Sequence, residues 1–135
     1  MKKEFSTKWK ASKQVRKQRK YHYNAPLHIK AKLLNVHLSK ELSQKHKTKR
    51  IRVRSGDKVK IMRGKYKGKE GKVDVVNTKK SCLFITGIEI SKKDGSKAKV
   101  PIHASNVMII DASTDDNKRF TNKTNKEQNN GQESH

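Results

Sequence analysis

The sequence predicts a mainly β protein, in which a small β-barrel carries a basic N-terminal arm with short helices and a disordered polar C-terminal tail. Three observations predict it. Apolar and polar residues alternate through the middle of the chain, positive charge is concentrated towards the N-terminus, and only 30% of the 135 residues are hydrophobic. A chain of this size and composition has room for one small core.

Charge divides the chain into three parts. Residues 1–50 hold 16 basic and 2 acidic residues, a net charge of +14, residues 51–110 have a net charge of +10, and residues 111–135 one of −1. We therefore expect a basic arm over residues 1–50, the barrel over 51–112 and a polar tail over 113–135. The tail is rich in Asn, Lys, Gln and Thr, so little apolar burial can offset the entropy of ordering it.

The strands of the barrel are predicted from period-two alternation. Val59 and Ile61 alternate with lysines, and Val73 and Val75 alternate with polar residues. Each segment then has one apolar and one solvated face, which is typical of half-buried antiparallel strands.

Further strands are predicted from the apolar runs that follow, at residues 83–90, 100–102 and 107–110. Asp94-Gly95, between two of these runs, is a strong hairpin signal. Five or six short strands within 60 residues favour a barrel or rolled sheet, because closure protects the sheet edges.

The arm has weaker signals for secondary structure. Residues 12–23 show no apolar stripe, so we expect no stable isolated helix there but a segment that orders on a partner. Asn24-Ala25-Pro26 predicts the start of a short helix that carries Leu27, Ala31 and Leu34 at helical spacing, and Ser39 predicts the cap of another through about Gln44.

The most informative motif lies between the first two predicted barrel strands. Gly64, Gly68 and Gly71 allow sharp backbone turns and close approach of a ligand. The same segment carries the basic residues Arg63, Lys65, Lys67 and Lys69, with Tyr66 available to stack on a base. The combination favours binding of a nucleic-acid backbone, while the alternative is that the glycines only shape a hairpin and the lysines only maintain solubility.

A nucleotide-hydrolysing P-loop is excluded by spacing. Only three residues separate Gly64 from Gly68, and Glu70 rather than Ser or Thr follows Lys69. No arrangement of Ser, His and Asp predicts a nucleophile, so we expect no enzyme and no cofactor. A single Cys and scattered His residues predict no metal site, and no apolar run is long enough for membrane insertion.

The arm also indicates RNA binding. Lys10, Lys13, Arg16 and neighbouring cations precede Tyr21-His22-Tyr23-Asn24. Cations, aromatic rings and an amide together suit structured RNA, in which phosphates bind the cations and unpaired bases stack on the rings. A plain solvated run of charge and a nuclear-localisation signal are the alternatives.

Several blocks of the sequence carry a specific resemblance. The stretch Gly56-Asp57 to Gly64 followed by Tyr66 to Val73 resembles the KOW motif of ribosomal proteins and transcription elongation factors. Together with four further blocks, this motif resembles the large-subunit ribosomal protein family numbered twenty-four, or twenty-six in eukaryotes. The blocks are Lys17-Gln18-Arg19-Lys20, Asn24-Ala25-Pro26-Leu27-His28, Leu38-Ser39-Lys40-Glu41-Leu42 and Pro101 to Val107. The long arm and the Gly68-Lys-Glu-Gly71 spacing look archaeal.

The resemblance implies an SH3-like barrel that binds large-subunit rRNA near the peptide exit tunnel, contacts neighbouring ribosomal proteins and helps nucleate assembly of the subunit in the cytoplasm. The predicted RNA contacts are Lys10, Lys13, Arg16, Lys17, Gln18, Arg19, Lys20, Tyr21, His22, Tyr23, Asn24, His28, Arg52, Arg54, Arg63, Gly64, Lys65, Tyr66, Lys67, Gly68 and Lys69.

Two other classes of protein remain open on the sequence. A transcription elongation or chromatin-associated factor would share the KOW barrel, although it would normally carry another folded domain. An interaction module is the second: the predicted hairpin at residues 92–99 would meet nascent chains or targeting factors at the tunnel exit. That role is compatible with a ribosomal protein.

Overall fold

The computed structural model describes residues 5–120, which contain three α-helices, seven strands and three short 3-10 helices. The α-helices are α1 (Val15–Asn24), α2 (Leu27–Lys32) and α3 (Lys40–Lys45). The strands are β1 (Asn35–Leu38), β2 (Arg50–Arg52), β3 (Lys58–Ile61), β4 (Glu70–Asn77), β5 (Cys82–Ser91), β6 (Lys97–His103) and β7 (Val107–Asp111). The 3-10 helices are Thr7–Ala11, Ala104–Asn106 and Asn117–Arg119.

The strands of the described chain form one seven-stranded sheet in the order β2-β1-β7-β3-β4-β5-β6. Antiparallel pairing joins β3, β4, β5 and β6 in succession, β7 returns to pair with β3, and β1 adds to β7 in parallel. Residues of β1, β2, β3, β4, β5 and β7 all face one buried cluster. The sheet is therefore rolled around a single core, which confirms the predicted mainly β fold of small-barrel type.

Two strands lie where the sequence analysis predicted none. β1 and β2 precede the first predicted strand, and Val36, Leu38 and Ile51 from them are buried in the core. Alternation over only three or four residues is too short to be distinguished from a turn, and β1 is stabilised by its pairing with β7, some 70 residues later in the chain. Residues 1–50 thus contribute to the sheet.

The two predicted helices of the arm are confirmed. Pro26 precedes the first residue of α2, and the Ser39 hydroxyl accepts a hydrogen bond from the Leu42 N–H at the start of α3. The hairpin at Asp94-Gly95 is confirmed as well: it joins β5 to β6, and Gly95 has a φ of +84°.

Helix α1 forms where the sequence predicted no helix that is stable in isolation, because contacts with residues before it stabilise it. Its Gln18 side-chain amide donates to the carbonyl oxygens of Lys10 and Ser12, at 2.9 and 2.7 Å. Tyr21 is buried, and its ring centroid lies 5.1 Å from that of Phe5. These contacts with the preceding residues stabilise the helix, whose sequence has no apolar stripe.

The chain after β7 also differs from the predicted polar tail. Residues 113–120, which we call the C-terminal strap, pack on the barrel through Arg119 and Phe120. The guanidinium of Arg119 binds the buried carboxylate of Asp57, and the Phe120 ring stacks on His46 at 3.8 Å between centroids. The rest of the predicted tail, residues 121–135, lies outside the described residues.

Candidate nucleic-acid interface

The basic loop, residues 63–69, joins β3 to β4 as the motif predicts. Gly64 and Gly68 adopt φ values of +90° and +85°, a backbone conformation that residues with a Cβ rarely take. The Gly68 N–H donates to the Ile61 carbonyl at 2.8 Å, and the Lys69 N–H donates to the Tyr66 carbonyl at 3.1 Å. The loop is thus a hydrogen-bonded turn held at both ends by the sheet.

Four cations project from this loop into solvent. Arg63, Lys65, Lys67 and Lys69 are all exposed, and none of them forms an ion pair with a residue in the range 5–120. Such a cluster attracts polyanions strongly, because the repulsion among its charges is relieved only when an anion binds.

The Tyr66 ring was expected to be available to stack on a base, but it is less exposed than that role requires. Its side chain is half-buried and packs against the core cluster. The Nζ atoms of Lys65 and Lys69 lie 5.9 and 5.5 Å from the centre of its ring, within range of a cation–π contact. We therefore regard Tyr66 as the residue that positions these two lysines.

Gly71 is required for a different reason, the close approach of β4 to β5. A Cβ atom at this position would lie 2.6 Å from Ile85 Cγ2 and 2.7 Å from the Thr86 carbonyl oxygen. Both atoms are confined, the first in the core and the second in the backbone. A side chain here would therefore push the two strands apart, and with them the C-terminal end of the basic loop.

The substitution Gly71→Ala is expected to destabilise the fold by about 1–3 kcal/mol, the usual cost of forcing extra atoms into a packed site. Thermal and urea unfolding of the two proteins measure it. Lys72→Ala, an exposed change on the same strand, is the control and is expected to stay within about 0.5 kcal/mol of the parent. Equal stability of Gly71→Ala and the parent would contradict the close approach of the strands.

The arm presents six of its cations on α1 and just before it. Lys10, Lys13, Arg16, Lys17, Arg19 and Lys20 are exposed. Tyr23 is 70% exposed, His22 and His28 are exposed, and Asn24 is half-buried at the end of α1. The Lys20 ammonium lies 5.5 Å from the centre of the Trp9 ring.

Tyr21 faces inward, and Gln18 is half-buried. The NH2 group of the Gln18 side chain donates to two carbonyl oxygens of the arm, and Tyr21 is only 7% exposed. A buried ring cannot stack on a base, so we assign Tyr21 to holding the arm together, while Gln18 remains a proposed RNA contact through its side-chain oxygen.

Sequence reasoning missed a basic cleft of about 300 Å³ between the arm and the turn that joins β4 to β5. Lys30, Lys79, Lys80 and His103 line it beside His22. With His22, these residues come from four separate stretches of the sequence. His22 was the one among these five that the sequence analysis had predicted as an RNA contact, and the signal for the others was the Lys79-Lys80 pair.

Arg52 is the last residue of the edge strand β2, and Arg54 lies two residues after it. The Arg54 guanidinium contacts the Asp116 carboxylate at 3.0 Å, whereas Arg52 forms no ion pair within residues 5–120. The hydrogen bond from Arg54, followed by that from the Lys118 N–H, lowers the pKa of Asp116. The pair therefore persists at neutral pH and is lost only as the pH falls through that lowered value.

Within the range 5–120, no cluster of three or more His, Cys, Asp or Glu side chains is placed to hold a metal ion. None of the helices described is long and apolar enough to span a bilayer.

A rolled β-sheet of this size, with a glycine-shaped basic loop between two adjacent strands and a cationic helical arm, defines a small basic β-barrel protein. A family model that describes the ribosomal proteins numbered L26 in eukaryotes and L24 in archaea matches residues 12–126. The large ribosomal subunit protein uL24 of Methanospirillum hungatei is 46% identical over 108 residues, which cover 80% of this chain and 90% of that protein. The chain belongs to this family of ribosomal proteins.

Membership has two consequences. The chain is a structural constituent of the large ribosomal subunit, and it is not an enzyme, because the family is structural. The archaeal character that the long arm and the glycine spacing indicated agrees with the archaeal source of the relative.

Proposed function

We propose that the chain binds large-subunit rRNA through two surfaces, the basic loop and the exposed face of α1, and that this binding helps nucleate assembly of the subunit. The observation that carries the proposal is the set of four loop cations at residues 63–69 that have no acidic partner among the described residues. Phosphate groups are the natural counter-charges for such a set.

The arm supports the proposal from a second direction. Its cations at residues 16–20 are exposed on α1, and Lys10 and Lys13 are exposed just before it. Contacts with Phe5, Lys10 and Ser12 stabilise this helix. A helix that is already formed loses less conformational entropy on binding than a disordered segment would. Sequence-independent phosphate contacts then position the protein, and the shape of the RNA supplies the specificity.

The finer assignments also belong to this proposal. The binding site lies near the peptide exit tunnel, in the cytoplasm, beside other proteins of the large subunit. Residues 1–50 act mainly as the RNA-binding arm, residues 51–112 as the barrel, and residues 113–135 as a C-terminal segment that begins with the strap. The hairpin of residues 92–99 is a candidate contact for nascent chains or targeting factors, because Lys92 and Lys93 are exposed at its tip.

The test is co-sedimentation of the tagged full chain from a lysate of its own cells, before and after a high-salt wash. We expect stoichiometric retention on the large subunit, because contacts to the shape of the RNA and to neighbouring proteins add to the phosphate contacts, which by themselves weaken steeply as salt rises. Migration with RNA polymerase or chromatin, or release from every particle at modest salt, would overturn the proposal in favour of a transcription-associated barrel.

A further inference from the structure

The edge strand β2 and the two residues after it carry a row of arginines, of which Arg52 and Arg54 were predicted RNA contacts, that lies outside both the basic loop and α1. Arg50, Arg52 and Arg54 are exposed, while Ile51 and Val53 between them are buried in the core. The three arginines therefore leave the same face of this segment, at intervals of about 6.6 Å. No described strand pairs with β2 on its far side, where a groove separates Arg52 and Arg54 from Asp74 and Val75 of β4.

The C-terminal strap closes the other side of the row. The Arg119 guanidinium donates to the Arg52 carbonyl oxygen at 3.0 Å and to the Ser113 carbonyl oxygen at 3.2 Å, and it also binds the Asp57 carboxylate. Both side chains of the Arg119–Asp57 pair are almost completely buried, at 3% and 0% exposure. The buried ion pair and these hydrogen bonds thus hold the strap against the barrel, next to the arginine row.

Between the strap and β2 lies a concave pocket of about 450 Å³. It is lined by Asn35, Thr48, Arg50, Arg52, Lys118 and Phe120. The carboxylates beside it are already neutralised, because Asp57 pairs with Arg119 and Asp116 pairs with Arg54. Arg50 and Arg52 form no ion pair with any described residue, so the pocket keeps a net positive charge.

We propose that this pocket is a separate RNA-backbone site, in which Arg50 and Arg52 bind successive phosphates of one strand. It deepens the proposed function by adding a surface to it. The spacing of alternate residues on a β-strand is comparable with that of successive phosphates, and the planar guanidinium binds a phosphate through two parallel hydrogen bonds. β1 and β7 lie between β2 and β3 in the order of the sheet, and we expect the two sites to contact different stretches of RNA.

The alternative explanation is that the arginines only prevent the open edge of β2 from pairing with another copy of the sheet, as charged residues on edge strands commonly do. That explanation does not require the pocket, the strap or the neutralisation of both nearby carboxylates. It predicts a different result when the charge is removed.

The experiment compares the full chain with the variant Arg50→Ala/Arg52→Ala, using protein-free large-subunit rRNA from its own cells as the probe. Binding is measured between about 50 and 200 mM salt. The loss of two phosphate contacts is expected to lower the slope of log affinity against log salt by about two. Lys92→Ala/Lys93→Ala removes the same charge from the distant hairpin and is expected to keep the parental slope.

Two further measurements make the result specific. Arg50→Lys/Arg52→Lys keeps the charge and is expected to keep the slope while it loses affinity, because lysine lacks the planar fork. Hydroxyl-radical footprints should show that Arg50→Ala/Arg52→Ala loses protection of nucleotides that a basic-loop variant still protects. Thermal unfolding verifies that each variant is folded.

A parental slope for Arg50→Ala/Arg52→Ala, or loss of the same nucleotides as in the loop variant, would overturn the second site and leave the proposed function standing. Parental RNA binding together with new self-association would assign the arginines to protection of the edge. If the affinity of the parent protein for this rRNA does not depend on salt, the proposed function itself is contradicted, and the second site with it.

Discussion

Replacing Arg63, Lys65, Lys67 and Lys69 together with alanine is expected to weaken binding to large-subunit rRNA and to flatten its dependence on salt. The four side chains are exposed, and no described carboxylate pairs with them. If each contacts one phosphate, the slope of log affinity against log salt falls by about three to four. The ratio of the parent's affinity for RNA to the variant's then falls by about 100-fold as the salt concentration rises from about 50 to about 200 mM.

The matched control for this experiment is a variant with Lys92, Lys93, Lys97 and Lys99 replaced by alanine. It loses the same formal charge from the β5–β6 hairpin, so it measures what non-specific attraction alone contributes. We expect it to keep most of the parental slope. Equal slopes for the loop variant and the parent would remove the basic loop from the RNA interface, whatever happens to the hairpin variant.

The substitution Asp57→Ala is expected to destabilise the protein by about 3–5 kcal/mol, because it leaves the buried Arg119 guanidinium without its counter-charge. Asp57 also accepts hydrogen bonds from the N–H groups of Arg54, at 2.8 Å, and Ser113, at 3.3 Å. One carboxylate thus joins the start of the β3 segment to the C-terminal strap. Urea and thermal unfolding measure the loss.

Asp116→Ala is the control for this prediction, because it removes an aspartate from an ion pair that is about half exposed. Such pairs contribute about 0–1 kcal/mol. The variant Asp57→Ala/Arg119→Ala is expected to lose less than the two single variants together, since it leaves no unpaired buried charge. A small effect of Asp57→Ala, similar to that of Asp116→Ala, would contradict a structural role for the buried pair.

The sequence predicted much of the barrel correctly. Val59, Ile61 and Val73 are buried as their alternation indicated, and Gly64 and Gly68 of the basic loop adopt the positive φ values that favour this residue. These features are local, because the period of a strand and the dihedral angles of a turn depend on a few neighbouring residues. The prediction was wrong for Val75, which is 48% exposed because the register of β4 against β5 shifts between Val73 and Val75.

The predictions that failed depended on partners distant in sequence. β1 and β2 were missed because alternation over three or four residues is too short to indicate a strand. β1 forms a strand by pairing with β7, and β2 by pairing with β1. Helix α1 was missed because its stabilisation comes from Phe5, Lys10 and Ser12, outside the helix. Phe120 was the only large aromatic residue of a polar tail, and its ordering depends on His46, about 70 residues earlier.

By itself, then, the sequence determined the charge of the protein, its mainly β class, the basic loop and the family that it resembles. Only the tertiary structure decided which cations are free to bind and which are occupied. Arg54 and Arg119 carry the same charge as Arg50 and Arg52, yet their guanidinium groups are paired with Asp116 and Asp57. Ion pairing depends on distances of a few ångströms between residues that can be 62 positions apart, and no local pattern records those distances.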